Sequence, residues 1–271
     1  MNSAVERATE YIWQRYSEPM SLNDIARAAI LSRFHFSRTF RDATGVSPGR
    51  YLSAVRIHEA KRLLLTTPMN ITDIAYLVGF NSLGSFSNHF TDSVGVAPGR
   101  FRSISANGGF ALPAPRPGSP STHGTVRDLV IMPDGYLDVR VYLGAFDTPI
   151  VQRQPGSAVI VESSPGEPCP YRLPWVPDGT WFIHAVAVAD SADPEPWTRR
   201  TVLVGTGGRV RVRAGEATRA RIIMRPRRPG DLPTLLALPD LEATPGLQAQ
   251  PSLASSSVPA PRRPVSPTVH Q

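Results

Sequence analysis

Cysteine is almost absent from the chain: Cys169 stands alone. No disulfide can close within one chain, and a cysteine-built zinc site is not expected. Lysine is as scarce. Lys61 is the single lysine among 29 basic residues and the rest are arginines. This reads mainly as the codon bias of a G+C-rich genome, although arginine also suits phosphate and guanine contacts. The histidines are scattered, with no close pair. No apolar run approaches the roughly 20 residues that a membrane helix needs. The opening MNSAVERATEYIWQRY carries two acids and no apolar core, so it does not read as a signal peptide. No Ser-His-Asp arrangement, carboxylate pair, glycine-rich phosphate loop or metal spacing stands out. These absences point to a soluble, reduced, cytoplasmic protein that needs no membrane, metal or cofactor and is not an enzyme.

What is present divides the chain. Its 271 residues suffice for two ordinary domains. Residues 1–105 contain only Pro19, Pro48, Pro68 and Pro98, whereas four prolines crowd ALPAPRPGSPSTHG at 111–124. That stretch predicts an extended linker over 106–125. Residues 126–230 then change from helical spacing to alternation. Proline, alanine and serine dominate 231–271, which predicts a largely disordered tail, and 245–271 keeps no period at all. The net charge of +7 suits an anionic partner but does not locate it. Residues 1–105 hold twelve basic and eight acidic groups and the remainder seventeen and fourteen, leaving +4 and +3.

The location comes from a repeat. FSRTFRDATGVSPGR at 36–50 returns as FSNHFTDSVGVAPGR at 86–100, with nine of fifteen positions identical. The chain therefore builds one unit twice. In the first copy Ser21 and Asp24 make a capping box, and Leu22, Ile25, Ala26 and Ala29 fall on one helical face. Ser32 caps a second helix with Phe36 and Phe40 inward, and Gly45 ends it. In the second copy Asn70 caps, Ile71, Ile74, Ala75 and Val78 form the stripe, and Gly79 supplies a positive-φ turn. Ser82 caps the helix that carries Phe86 and Phe90. The first helices align at an offset of 49 and the second at 50, so the second turn is one residue longer. Two short helices with a tight turn, the second polar and partly basic, describe a DNA-binding helix-turn-helix. Two units about 34 Å apart can read successive major grooves without dimerising. A plain helical bundle would not explain the duplicated turn and cap chemistry.

The connector fits that purpose. Ser47 caps, Pro48 takes the first helical position, and a helix can run to about Leu65. Leu52, Val55, Ala60, Leu63 and Leu64 point inward, which leaves Arg56, Lys61 and Arg62 for solvent or phosphate. About 17 residues span roughly 25 Å.

SLNDIARAAILSRFHFSRTFRDATGVSPGRYL, AVRIHEAKRLLL and ITDIAYLVGFNSLGSFSNHFTDSVGVAPGRFR together resemble the DNA-binding domain of the AraC/XylS family of bacterial transcription regulators, over about residues 4–103. The resemblance implies seven helices in two subdomains joined by a long helix, with recognition helices at about Ser32–Ala43 and Ser82–Ser93. It implies double-stranded operator DNA as partner, with RNA polymerase and a small-molecule or protein effector as further candidates. Carried over residue by residue, the bases would face Phe34, Ser37 and Arg38, flanked by Arg33 and Arg41. Arg38 suits guanine O6 and N7. Phe34 suits either a thymine methyl or the core. His35 suits packing or a phosphate. On the second helix, with Ser82 at its start also counted among the DNA-binding residues, the family's positions fall on Leu83, Gly84, Ser85 and Asn88, a departure, since relatives commonly have polar or basic residues there. Asn88, which suits adenine, stands where an arginine is usual. The second copy would then anchor more than it discriminates. Order is a further departure, since most relatives place this domain last, and an effector module would here lie downstream.

Downstream, Val126–Met132, Leu137–Leu143, Ala158–Val161, Trp181–Val188, Arg200–Val204, Arg209–Arg213 and Ala220–Met224 alternate like strands. Pro133-Asp134-Gly135, Pro177-Asp178-Gly179 and Gly205–Gly208 read as turns. About seven short strands predict an antiparallel β-sandwich. PDGTWFIHAVAVA and TVLVGTGGRVRVRAGEATRARIIMRP resemble the transthyretin-like or carboxypeptidase-regulatory-like sandwich in strand rhythm, which implies no activity. Arg209, Arg211 and Arg213 form a basic stripe, either for phosphate or an acidic effector or simply solvated. Trp175, Trp181, His184 and Trp197 suit a core or a ligand pocket. Cys169 is similar in setting to the methyl-acceptor cysteine of alkylation-repair proteins, some of which carry AraC-type domains, but the neighbouring histidine of that motif is missing. The leading expectation is a sequence-specific transcription regulator. The alternatives are an enzyme with a DNA-targeting head and a loosely specific architectural DNA-binding protein.

Overall fold

Local cap chemistry sets where the helices begin. In the computed structural model, which describes residues 3–106, 117–136, 139–164, 167–190, 200–228 and 230–238, the Ser21 hydroxyl accepts from the Asp24 N–H. The Asp24 carboxylate accepts from the Ser21 N–H at 2.9 Å, which completes the capping box. Asn70 and Ser82 cap by accepting from the Asp73 and Ser85 N–H groups, but Ser32 starts its helix without a side-chain cap bond. The resulting helices are α1 (Ser3–Arg15), α2 (Leu22–Ala28), α3 (Arg33–Thr44), α4 (Pro48–Thr66), α5 (Ile71–Leu77), α6 (Leu83–Val94) and α7 (Pro98–Ala106). The offsets of 49 between α2 and α5 and of 50 between α3 and α6 match the sequence pattern. At 19 residues α4 spans about 28 Å.

The repeat is also a repeat of packing. Phe36, Phe40 and Tyr51 stack in sequence in the first unit, with ring centroids 5.4 and 5.5 Å apart. Phe86, Phe90 and Phe101 do the same in the second, both at 5.6 Å. All six rings are fully buried in one core with Leu52, Val55, Ala60 and Leu64 of α4. Each helix of this pair ends in a left-handed glycine, Gly45 or Gly95. No helix among the described residues is long and apolar enough to cross a membrane.

The second half is rich in strands: β1 (His123–Ile131), β2 (Val139–Phe146), β3 (Ser157–Ser163), β4 (Cys169–Pro177), β5 (Gly179–Asp190), β6 (Arg200–Val212), β7 (Ala217–Arg219) and β8 (Ile222–Pro226). The expected two-layer sandwich is not what forms. One sheet runs β3-β2-β5-β6-β8-β1-β4, with β7 beside β1. Its two edges meet where the Ser157 hydroxyl donates to the Pro174 carbonyl and Cys169 Sγ lies 3.2 Å from the Glu162 carbonyl. The sheet is thus curled nearly into a barrel around Val141, Leu173, Ile183, Leu203 and Ile222. The β1–β7 and β1–β8 pairings are parallel, so the sheet is not purely antiparallel. Alternation reports that one face is buried; it cannot report whether that face meets a second sheet or its own far side.

Two strand readings change for local reasons. β4 carries Pro170, Pro174 and Pro177, which obscured it; it is an edge strand paired only with β1, where missing N–H groups are tolerated. Gly205–Gly208 is not a turn but the middle of β6. A Cβ on Gly205 would lie 2.6 Å from Ile222 and Met224, so glycine there permits close strand approach. Leu137 and Trp197, residues 107–116 of the 106–125 linker and the 245–271 segment lie outside the described residues.

The start of the expected tail is ordered. Residues 230–238 run between the helices and the sheet, with Leu235 buried in the helical core and Leu236 and Leu238 packed on Tyr142, Phe146 and Val186. The proline-rich composition hid three leucines that supply apolar area on two sides.

Candidate nucleic-acid interface

A recognition helix must bury one face and leave the other wet. α3 does so by burying Phe36 and Phe40 while Arg33, Phe34, His35, Arg38 and Arg41 are exposed and Ser37 is half-buried. Phe34 is 80% exposed, which settles its place on the surface rather than in the core; the Arg33 guanidinium covers its ring at 5.0 Å. His35 is exposed as well and is not packed. On α6, Ser82, Gly84, Ser85 and Asn88 are exposed and Leu83 is 39% exposed. Nine of the ten residues expected at the two reading helices are therefore exposed, and Ser37 is half-buried.

The helices differ in charge. α3 presents three arginines, whereas α6 has no lysine or arginine. The single carboxylate on α6, Asp92, is bound by Arg153 of the loop after β2 at 2.7 Å. That ion pair neutralises the group on α6 that would most repel phosphate.

The expected phosphate contacts on α4 change. Lys61 is 5% exposed; its ammonium donates to the Leu236 carbonyl at 3.3 Å and lies 5.5 Å from the Phe101 ring. The helical spacing places it on the inner face, between α7 and the returning segment. Arg56 is half-buried and donates to the Tyr16 and Glu18 carbonyls at 2.7 and 2.9 Å, tying the turn after α1 to α4. Arg62 stays exposed beside Glu59 at 2.8 Å. Of the three, only Arg62 remains on the surface.

Contacts from the sheet domain reach the ends of both reading helices, and nothing local in the sequence signals them. Pro149 sits against Gly45 at the end of α3, and Ile150 enters the helical core. The Arg153 N–H donates to the Ser93 carbonyl at 2.9 Å, and the Ala237 N–H to Val94 at 3.3 Å. Arg227 lies over Trp13 at 5.7 Å, and the nearby half-buried His58 is pushed down to about 3 by desolvation and then by Arg227.

Other candidates in the sheet resolve differently. Trp181 packs on the sheet core and donates to the Pro177 carbonyl, while His184 lines a cleft beside α3. Arg211 pairs with Asp178 at 2.8 Å and the arginine stripe is exposed. Burial raises the Cys169 thiol, the opposite of what a reactive thiolate needs. Among the described residues no three metal-ligating side chains cluster.

Residues 25–104 match the family described as a helix-turn-helix domain. The chain is 36% identical over 101 residues to the bifunctional transcriptional activator/DNA repair enzyme AdaA of Bacillus subtilis, covering 37% of this chain and 48% of that protein. It is 30% identical over 80 residues to the lactose operon transcription activator of Staphylococcus xylosus, covering 30% and 29%. The chain thus spans half or less of the length of these curated relatives. The DNA-binding domain of AdpA, a global transcriptional factor solved with a target DNA, is 27% identical, with a TM-score of 0.38, covering 39% of this chain and 96% of that one. The N-terminal region of the chain is an AraC-type helix-turn-helix domain.

Proposed function

We propose that the chain is a sequence-specific DNA-binding transcription regulator that reads two successive major grooves with α3 and α6. One observation carries this reading. The two units share a buried aromatic core through α4, yet each keeps the polar face of its second helix in solvent. Arg38 reads guanine, Ser37 and Phe34 add contacts, and Arg33, Arg41 and Arg62 bind phosphate. Ser82, Leu83, Gly84, Ser85 and Asn88 anchor the second groove. The sheet domain supplies contact with an effector or a protein such as RNA polymerase, and no catalytic step is assigned to it.

The test is selection of DNA sites from a random pool with the full chain, followed by gel-shift titration across salt. A two-part motif and an affinity that falls steeply with salt are expected, because released counterions drive phosphate binding. Retention of DNA without a shared motif would favour the architectural reading, and an affinity indifferent to salt would overturn both.

A further inference from the structure

In an ordinary half-exposed sheet, one face is apolar and the other polar. The sheet here is apolar on both faces over β5, β6 and β8. Ile183, Ala185 and Ala187 fill the barrel core, so Phe182, His184 and Val186 face outward by strand alternation. Their neighbours across β6 and β8 include Val204, Thr206 and Ile223. Part of this outer face is covered by Val151, Leu236 and Leu238. The uncovered part opens as a cleft of about 630 Å³ whose opposite wall is the end of α3, at Ala43, Thr44 and Gly45. That volume falls within the range of about 300–1,000 Å³ seen for small-molecule sites.

Charge on the rim has one sign in excess. Arg209, Arg221 and Arg225 line the cleft against one carboxylate, Asp231. Asp231 is taken by Arg225 in a two-pronged pair at 2.6 and 2.7 Å. Arg221 reaches Asp128 only at 3.8 Å, and Arg209 pairs with no carboxylate among the described residues. His184 stands in the wall with Nε2 buried and without a hydrogen-bond partner, and burial lowers it to about 4, so it is neutral. β5, β6 and β8 are interior strands, already paired on both sides. No open edge lies here for a peptide strand to extend.

We propose that this cleft binds a small amphipathic anion, a carboxylate or sulfonate joined to an apolar ring or chain. Its apolar part rests on Phe182, Val204 and Ile223, and its charge meets Arg209 and Arg221. The occupant touches the sheet and the end of α3 at once, so it bridges the sensing half to the first reading helix. That bridging role rests on the function proposed above; binding itself does not.

The probe is 1-anilinonaphthalene-8-sulfonate, titrated into the full chain, with N-phenyl-1-naphthylamine as its uncharged counterpart. A saturable one-site rise in fluorescence is expected. The uncharged analogue should bind at least about tenfold more weakly, as should the sulfonate to an Arg209→Gln/Arg221→Gln variant, the loss expected when charge-assisted contacts go. Ala43→Trp, an exposed helical position facing the cleft, should block the site from the α3 side with the circular dichroism unchanged. Equal affinity for both probes, or parent-like binding by both variants, overturns the proposal. A chain that binds its selected DNA but gives no saturable signal overturns the cleft alone. Sulfonate binding that leaves the gel shift unmoved overturns the bridge to α3 and leaves the DNA reading standing.

Discussion

At single residues, the two halves of the repeat meet the same demand with different side chains. The turn between the helices needs a left-handed residue. The second unit uses Gly79 at φ 91°, while the first uses Ile30 at φ 59°, where a β-branched side chain is strained and 76% exposed. Ile30→Gly should therefore leave stability unchanged or raise it by up to about 1 kcal/mol, relief of strain outweighing the entropy glycine adds to the unfolded chain. Gly79→Ala should lose roughly 2 kcal/mol, because its Cβ would stand 2.9 Å from the Tyr16 and Ser17 carbonyls. Denaturant unfolding of both variants tests the pair. The residues proposed to read DNA differ in the same way. Arg38→Ala should relax base preference at one position and weaken binding by about 1–3 kcal/mol, the range for a lost bidentate guanine contact, and Asn88→Ala should change preference less. Site selection with each variant decides, and a larger loss for Asn88→Ala reverses the ranking of the two helices. His184 gives a pH signature. Its folded value near 4 lies below the unfolded value near 6.5, so between them the unfolded chain binds more protons. Its stabilising effect is complete above about pH 6.5 and fades on acidification toward 4. His184→Leu should shrink the stability difference between pH 7.5 and 5 by about 2 kcal/mol.

At the scale of elements, sequence and structure agree where information is local and part company where it is not. Ser21, Asn70, Ser47 and Pro48 placed helix starts because a cap is settled within four residues. The aromatic repeat fixed the inner faces of α3 and α6 because period and volume sit in the same segment. Alternation gave strands but not their closure, since Ser157 meets Pro174 across the two sheet edges. β4 escaped notice because three prolines argue against a strand unless it is known to be an edge. Lys61 was misplaced because a lysine is ordinarily exposed, and its partner, the Leu236 carbonyl, lies 175 residues away. The solvent-facing sides of α3 and α6 were legible from the buried aromatic period; the contacts beneath them were not. The buried ammonium yields a prediction. Lys61→Met keeps the aliphatic stem but leaves the Leu236 carbonyl without this donor, and should cost about 1–3 kcal/mol. Amide exchange should rise over 230–238 while α2 and α3 stay protected; unchanged exchange there would show that the leucines alone hold the segment.

On the scale of the whole molecule, the two helix-turn-helix units are held at three places. α4 joins them through the core. Pro149 abuts the end of α3, and Arg153 with Ala237 holds the end of α6. The sheet domain thus grips the C-terminal ends of both helices while leaving their outer faces open. A tie at Ser93 and Asp92 is also electrostatically suited: a guanidinium near a helix C-terminus meets unpaired carbonyls and the negative end of the macrodipole. Arg153 adopts a left-handed backbone at φ 60° to make it, strain that the surrounding contacts sustain. Because the Arg153–Asp92 pair is substantially exposed, its contribution to overall stability is small, and its consequence should be geometric. With the tie intact, the full chain should tolerate little change in the distance between the two halves of its DNA site. Arg153→Glu places like charges together at the end of α6. It should leave the unfolding midpoint nearly unchanged, yet reduce the penalty for inserting one base pair between the half-sites. Adding Asp92→Arg restores opposite charges across the same gap and should restore the spacing preference. Gel shifts on the parent and inserted sites measure this directly. If Arg153→Glu discriminates the two sites as the parent does, α4 alone sets the spacing and the sheet domain's grip on α6 has no part in reading.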